Sequence, residues 1–199
     1  SSFEEQVKMV DLETANLFSA INLLQEQLDL ADIIANPESI TYGKKHKSGI
    51  HGFILKMVKL FIPRAEKKNS KIWLYGKTYA DIEAYNSFQF IPLILLDNAV
   101  KYTYSNQEIR VELADINNHV RLTVKSYGKI VPLEYRGKIF EKYVRGPRAI
   151  KQNPHGMGLG LYIARLIAQI HDSDIFYNAE VQSGDVGYNE FSISVKKVL

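Results

Sequence analysis

Glycines at alternate positions, Gly156-Met157-Gly158-Leu159-Gly160-Leu161, run straight into an apolar helical pattern of Leu161, Ile163, Leu166, Ile167 and Ile170. Glycine lets a backbone come close to a ligand. A helix start offers unpaired N–H groups backed by the helix dipole, so the combination suits phosphate. Two other phosphate motifs do not fit. A P-loop needs Lys-Ser/Thr after its last glycine, and Leu161-Tyr162 stands there. A dinucleotide fingerprint follows a strand, whereas a proline-containing loop precedes this turn. Taken alone, the turn serves equally as a helix start chosen for tight packing. The preceding loop adds weight to phosphate. Between Phe140 and Gly156 lie Lys142, Arg145, Arg148, Lys151 and His155, against the single acid Glu141. A basic loop beside anion-ready N–H groups suits a lid over a polyphosphate; an ordinary solvated loop is the alternative.

A second candidate is Leu96-Asp97-Asn98-Ala99-Val100-Lys101-Tyr102-Thr103. Asn98 and Lys101 are three residues apart and share a helix face. A carboxamide oxygen suits Mg²⁺ and an ammonium suits phosphate. On these two residues alone, ordinary polarity at a helix C-terminus explains them as well.

Composition narrows the field. With 199 residues and 46% hydrophobic content, the chain is long enough for a sizeable core. A net charge of +3 is too small to argue for nucleic acid, and no nucleic-acid partner is expected. The absence of cysteine excludes disulfides, thiolate zinc sites and a Cys nucleophile. No apolar run reaches the roughly 18–20 residues of a membrane span. The first residues, Ser1-Ser2-Phe3-Glu4-Glu5, carry no signal-peptide pattern, and the start inside a helical pattern suggests a piece cut from a longer chain.

These candidates need elements to position them. Residues 3–35 are expected as one long amphipathic helix, with Leu12, Leu17, Ile21, Leu24, Leu28 and Ile33 recurring, stopped at Asn36-Pro37. Its length and the break after it favour pairing with another chain over a core position. A short strand and basic turn are expected over 39–47, helices over 48–67, 88–103, 133–143 and 158–171, and a loop over 145–157. Strands are expected at Lys71–Tyr75, Asp81–Tyr85, Glu108–Ile116, His119–Ser126, 174–181 and 188–197. Asn117-Asn118 reads as a tight hairpin turn. The fold class expected is α+β: a two-layer α/β sandwich with a mixed β-sheet covered on one face by helices, preceded by the long N-terminal helix.

Four segments stand in a fixed order. They are the Asp97-Asn98-Ala99 helix, the strand and turn Leu122–Gly128, Ile139-Phe140-Glu141-Lys142-Tyr143-Val144-Arg145-Gly146, and the glycine turn. Together they resemble the N, G1, F and G2 boxes of the ATP-binding catalytic domain of sensor histidine kinases, within the superfamily shared with gyrase, mismatch-repair proteins and a heat-shock chaperone. The resemblance covers about residues 39–199. It implies ATP and Mg²⁺ between sheet and lid. Asn98 would hold Mg²⁺, Lys101 would meet a phosphate and Tyr102 would line the pocket. Gly128 would let the backbone pass near the adenine, and Arg145 would reach the terminal phosphate. The turn Gly156-Met157-Gly158-Leu159-Gly160-Leu161 would bracket the triphosphate.

Three positions depart from that pattern: Ser126 replaces the adenine-reading Asp, Ile130 the turn's second glycine and Ile94 the first Asn of the N box. The resemblance also implies a phosphoacceptor histidine on a bundle helix, yet residues 3–35 contain no histidine. They are expected to be the second helix of a dimerisation hairpin, so that 1–37 and 38–199 form two units. His51 is taken as a helix-start residue and His171 as a helix-end cap. The expected function is transfer of the ATP γ-phosphoryl to a histidine outside this chain, with a homodimer partner and a response-regulator receiver domain downstream, in the cytoplasm whether or not a longer parent is membrane-anchored. The alternatives are a degenerate, non-catalytic nucleotide-binding or interaction module and, more remotely, an ATPase of another superfamily branch.

Overall fold

The computed structural model describes residues 17, 20–21, 24–25, 27–152 and 157–198, the side chains of Arg148 and Gln152 aside. Its strands are β1 (His46–Gly49), β2 (Lys71–Tyr75), β3 (Asp81–Ala84), β4 (Glu108–Ile116), β5 (His119–Lys129), β6 (Ile175–Ser183) and β7 (Val186–Val198). Its helices are α1 (residues 27–35), α2 (Ile50–Glu66), α3 (Phe90–Tyr102), α4 (Leu133–Arg136), α5 (Pro147–Gln152) and α6 (Gly160–Gln169).

The sheet is built around β5. Val120, Leu122, Val124, Ser126 and Gly128 are buried, and the residues between them are more open. That period of two turns one face to a core and the other to water. β4 joins β5 through Asn117, whose φ of 51° asparagine accepts. β7 pairs with β5 along its whole length, and carries β6 on one stretch and β3 on another. The order is β1-β3-β7-β5-β4-β2, with β6 also beside β7. Only β2 and β4 run parallel among the described residues, so the sheet is mixed as expected.

α2, α3 and α6 pack on the inward face. α3 is buried continuously from Phe90 to Leu96, because it lies between the sheet and its neighbours α2 and α6. Pro92 falls in its first turn, where no intrahelical N–H bond is lost. On the open face Trp73, Tyr75 and Phe176 are exposed.

Several local expectations are corrected. Pro37–Thr41 is a 3₁₀ turn instead of a strand, started by a proline at its first position. The helix expected over 133–143 stops at Arg136, because Ile139 and Phe140 turn inward into the core. The loop expected over 145–157 contains α5, again opened by a proline, Pro147. Of the long N-terminal helix, 27–35 is helical, while residues 1–16, with Leu12, lie outside the described residues. Leu17, Ile21, Leu24 and Leu28 are exposed, whereas Leu30, Ile33 and Ile34 pack on the domain.

Candidate functional site

The floor of the site is the last turn of α3, fixed to β5 at one point. Thr103 Oγ1 and the Tyr104 N–H both donate to the Tyr127 carbonyl, at 3.1 and 2.9 Å. Thr103 and Gly128 form a bridge beside them. A Cβ on Gly128 would sit 2.5 Å from the Tyr102 carbonyl oxygen, so only glycine lets the two chains cross this closely. Lys68 closes the helix end, its ammonium donating to the carbonyls of Val100, Lys101 and Thr103 at 2.8, 2.7 and 3.3 Å. Burial, and then the charge of Arg64, lower the Lys68 pKa from its ordinary value.

On this turn Asp97 is held between two cations. Arg64 of α2 donates to it at 2.6 Å, and Lys101 pairs with its other oxygen one helical turn on. Asn98 and Tyr102 are half-buried beside them.

The roof comes from the lid and the glycine turn. Gly158 takes φ +70°, and a Cβ there would crowd Arg145 Cγ, the Tyr143 carbonyl carbon and the Val144 oxygen at 2.9–3.0 Å. Its carbonyl accepts the Tyr143 N–H at 3.0 Å, tying lid to turn. Arg145 Nη2 donates to the Ala149 carbonyl of α5. At the start of α6, Gly160 faces Ile94 Cγ2, where a Cβ would lie at 3.4 Å. Gly156 and His155 lie outside the described residues.

Between floor and roof is a cavity of about 320 Å³. Of the residues singled out in the sequence, Asn98, Lys101, Tyr102, Ser126, Arg145, Met157, Gly158, Leu159, Gly160 and Leu161 all line it. Gly128 does not; its missing side chain makes room for Tyr102 instead of for a ligand.

A family model described as histidine kinase-, DNA gyrase B-, and HSP90-like ATPase matches residues 85–197, which contain both floor and roof. The chain belongs to this ATPase family. It is 38% identical over 92 residues to the sensor histidine kinase YvrG of Bacillus subtilis (strain 168), covering 46% of this chain and 16% of that protein. It is 30% identical over 99 residues to the signal transduction histidine-protein kinase ArlS of Staphylococcus aureus (strain USA300), covering 50% and 22%. The chain thus matches less than a quarter of the length of these relatives. Among solved structures, the catalytic domain of histidine kinase ThkA superposes with a TM-score of 0.66 at 22% identity, covering 78% of this chain and 99% of that one. Full-length ShkA in complex with AMPPNP gives 0.67 at 22% identity, covering 98% and 39%. The fold is therefore that of histidine kinase catalytic domains.

Within this ATPase fold, several contributors were not visible in the sequence. Asn189 of β7 stands opposite Ser126 of β5 and lines the cavity. Its Oδ1 accepts from the Tyr177 hydroxyl at 2.7 Å and its Nδ2 donates to the Lys129 carbonyl at 3.2 Å. The same Tyr177 oxygen accepts the Val131 N–H at 3.0 Å, and burial raises the phenol pKa. Leu30 and Ile34 of α1 also line the cavity. The alternation in 188–197 already marks Asn189 as an inward polar residue, but its partner depends on strand register.

The histidines among the described residues stand apart from this cavity. His171 is buried, and its Nδ1–H donates to the Ile167 carbonyl at 2.7 Å while Nε2 accepts the Tyr85 N–H at 3.0 Å. Those roles require the neutral ring, and burial lowers its pKa. His171 therefore ties α6 to the segment before α3, beyond the helix-end cap expected. His51 sits in the first turn of α2.

Among the described residues no cluster of three or more His, Asp or Glu could hold a metal, and no helix is long and apolar enough to cross a membrane. Mg²⁺ in phosphate sites needs only one or two protein oxygens beside those of the phosphates. The Asn98 carboxamide in the cavity wall meets that requirement, whereas Asp97 is taken up by Arg64 and Lys101.

Proposed function

We propose that this chain is the ATP-binding catalytic core of a two-component sensor histidine kinase. It would pass the ATP γ-phosphoryl to a histidine outside the chain. The observation that carries the reading is the convergence of Asn98, Lys101, Arg145 and the glycine turn on one cavity. Asn98 would hold Mg²⁺, which neutralises phosphate oxygens when bound. Lys101, released from Asp97, and Arg145, released from Ala149, would meet the phosphates. The N–H groups at the start of α6 would face them too. Catalysis is then positioning and charge neutralisation. The bond from the γ-phosphorus to the β-phosphate oxygen breaks and an N–P bond forms at the lone-pair nitrogen of the acceptor imidazole. ADP leaves, and the proton on the second ring nitrogen passes to solvent.

The exposed Leu17, Ile21, Leu24 and Leu28 support a paired helix over 1–37, whose end from Leu30 to Ile34 rests on the nucleotide domain of 38–199. Their spacing of four, three and four is that of a coiled-coil seam. It suits a homodimer, with a response-regulator receiver domain as downstream acceptor in the cytoplasm. Calorimetric titration with Mg²⁺ and ATP, then ATP-dependent labelling of the longer parent, tests the proposal. Asn98→Ala should reduce labelling by about a hundredfold or more, and undiminished labelling would overturn it. A degenerate, non-catalytic module is the second reading. It is favoured by Ile94, which fills the space facing Gly160 with a group that binds neither metal nor phosphate. Firm ATP binding with no transfer in the parent would select it.

A further inference from the structure

The polar groups of the cavity fall into two sets. Asn98, Lys101, Arg145 and the glycine turn supply cations and N–H groups. The sheet side supplies Ser126 and Asn189 among the apolar walls of Ile130, Ile139 and Phe191. If the first set takes phosphates, a flat apolar base belongs against the second. Asn189 is held in one orientation by Tyr177 and Lys129, each taking one hydrogen bond of its carboxamide, so it cannot turn its oxygen and nitrogen about to suit a different base. Ser126 can adapt. It continues the inward row of β5 and is only 6% exposed. Its hydroxyl lines the cavity and makes no hydrogen bond among the described residues.

A hydroxyl both donates and accepts. Adenine presents an amino donor where guanine presents an oxo acceptor. Ser126 Oγ can accept from the first or donate to the second by rotating its hydrogen. A site discriminates when the wrong partner leaves a fixed group unpaired, and this group is not fixed in either role. We propose that Ser126 makes the site ambivalent between purines, so that it takes adenine and guanine nucleoside triphosphates with similar affinity. This rests on the nucleotide reading above.

The test is calorimetric titration of the full chain with Mg²⁺·ATP and with Mg²⁺·GTP. The two dissociation constants should lie within about tenfold of each other, the scale of a modest difference in contacts. In Ser126→Asp, a permanent acceptor should favour ATP over GTP by more than about tenfold. Ser126→Ala introduces no charge and should weaken both nucleotides by a similar factor. A wild-type preference beyond tenfold, or a Ser126→Ala change that weakens only one nucleotide, overturns the inference and leaves nucleotide binding standing. Binding of neither nucleotide overturns both.

Discussion

Lys101 and Arg145 present charges to one cavity, but the chain holds them in different ways. Lys101 stands on a helix that is buried from Phe90 to Leu96, whose end is closed by Lys68 and whose following residue, Thr103, is bridged to Gly128 of β5. Arg145 stands in the irregular stretch between Tyr143, which itself takes φ 66°, and α5, and its guanidinium donates to the Ala149 carbonyl four residues on. Tyr143, Met157 and Ile150 around it are exposed. Floor geometry is therefore set by folding, because moving it would open the core. Lid geometry is set by a few local bonds that a ligand can outbid. Substitutions in the floor should appear mainly as lost stability, and those in the lid mainly as lost affinity.

The strongest way to break this contrast uses one glycine from each side. Gly128→Ala drives a Cβ into the Tyr102 carbonyl, with backbone on both sides and nothing flexible to yield. It should cost about 3 kcal/mol in urea unfolding. Gly158→Ala puts a side chain on a left-handed residue and crowds Arg145 Cγ, the Tyr143 carbonyl carbon and the Val144 oxygen at 2.9–3.0 Å, a milder approach than the 2.5 Å at Gly128. It should cost about 1–2 kcal/mol, with nucleotide affinity falling alongside. Equal destabilisation by the two would end the distinction.

The next largest effect sharpens the floor. Lys68→Met keeps the apolar stem and removes the ammonium from the carbonyls of Val100, Lys101 and Thr103. The loss should be about 2 kcal/mol, the scale of charged hydrogen bonds. Any loss of ATP affinity should follow stability and recover at lower temperature. Arg145→Ala is the lid counterpart. Nucleotide affinity should weaken about tenfold, equivalent to about 1.4 kcal/mol, with the urea midpoint unmoved. A shifted midpoint would show that Arg145 belongs to the folded framework.

The contrast also explains what was legible in the sequence. The alternation of Ile109, Val111 and Leu113, and of Val120, Leu122 and Val124, marks β4 and β5, because period two is a local consequence of burying one face. Asn98 and Lys101 were visible as a pair since helical spacing alone puts them together. The grip of Arg64 on Asp97 was not, because it joins residues 33 apart through the packing of α2 on α3. Asn189 opposite Ser126 needed the β5–β7 register. The resemblance implies that Gly128 brings the backbone near adenine, whereas in the fold the group it lets approach is the Tyr102 carbonyl. In the lid, glycine and proline suggested a loop throughout, yet Pro147 opens a helix there.

The smallest effect comes from His171, and it separates the two regions by pH. The ring is neutral in the fold, its pKa lowered first by burial and then by Lys45, while the Ile167 carbonyl and Asp172 oppose the shift. In the unfolded chain it titrates near 6.5. Above that pH both states are neutral and the stability is fully present. As pH falls below it, the unfolded chain gains a proton the fold resists, so stability falls until the folded pKa is reached. Protonation would also set an N–H against the Tyr85 N–H that Nε2 accepts. The thermal midpoint should therefore drop between pH 7 and pH 5, by less than in any variant above, and His171→Gln should flatten that part of the profile. Since His171 ties α6 to the segment leading into α3, acid should loosen the floor. Nucleotide affinity that fell with pH ahead of the midpoint would place the acid-sensitive group in the cavity instead.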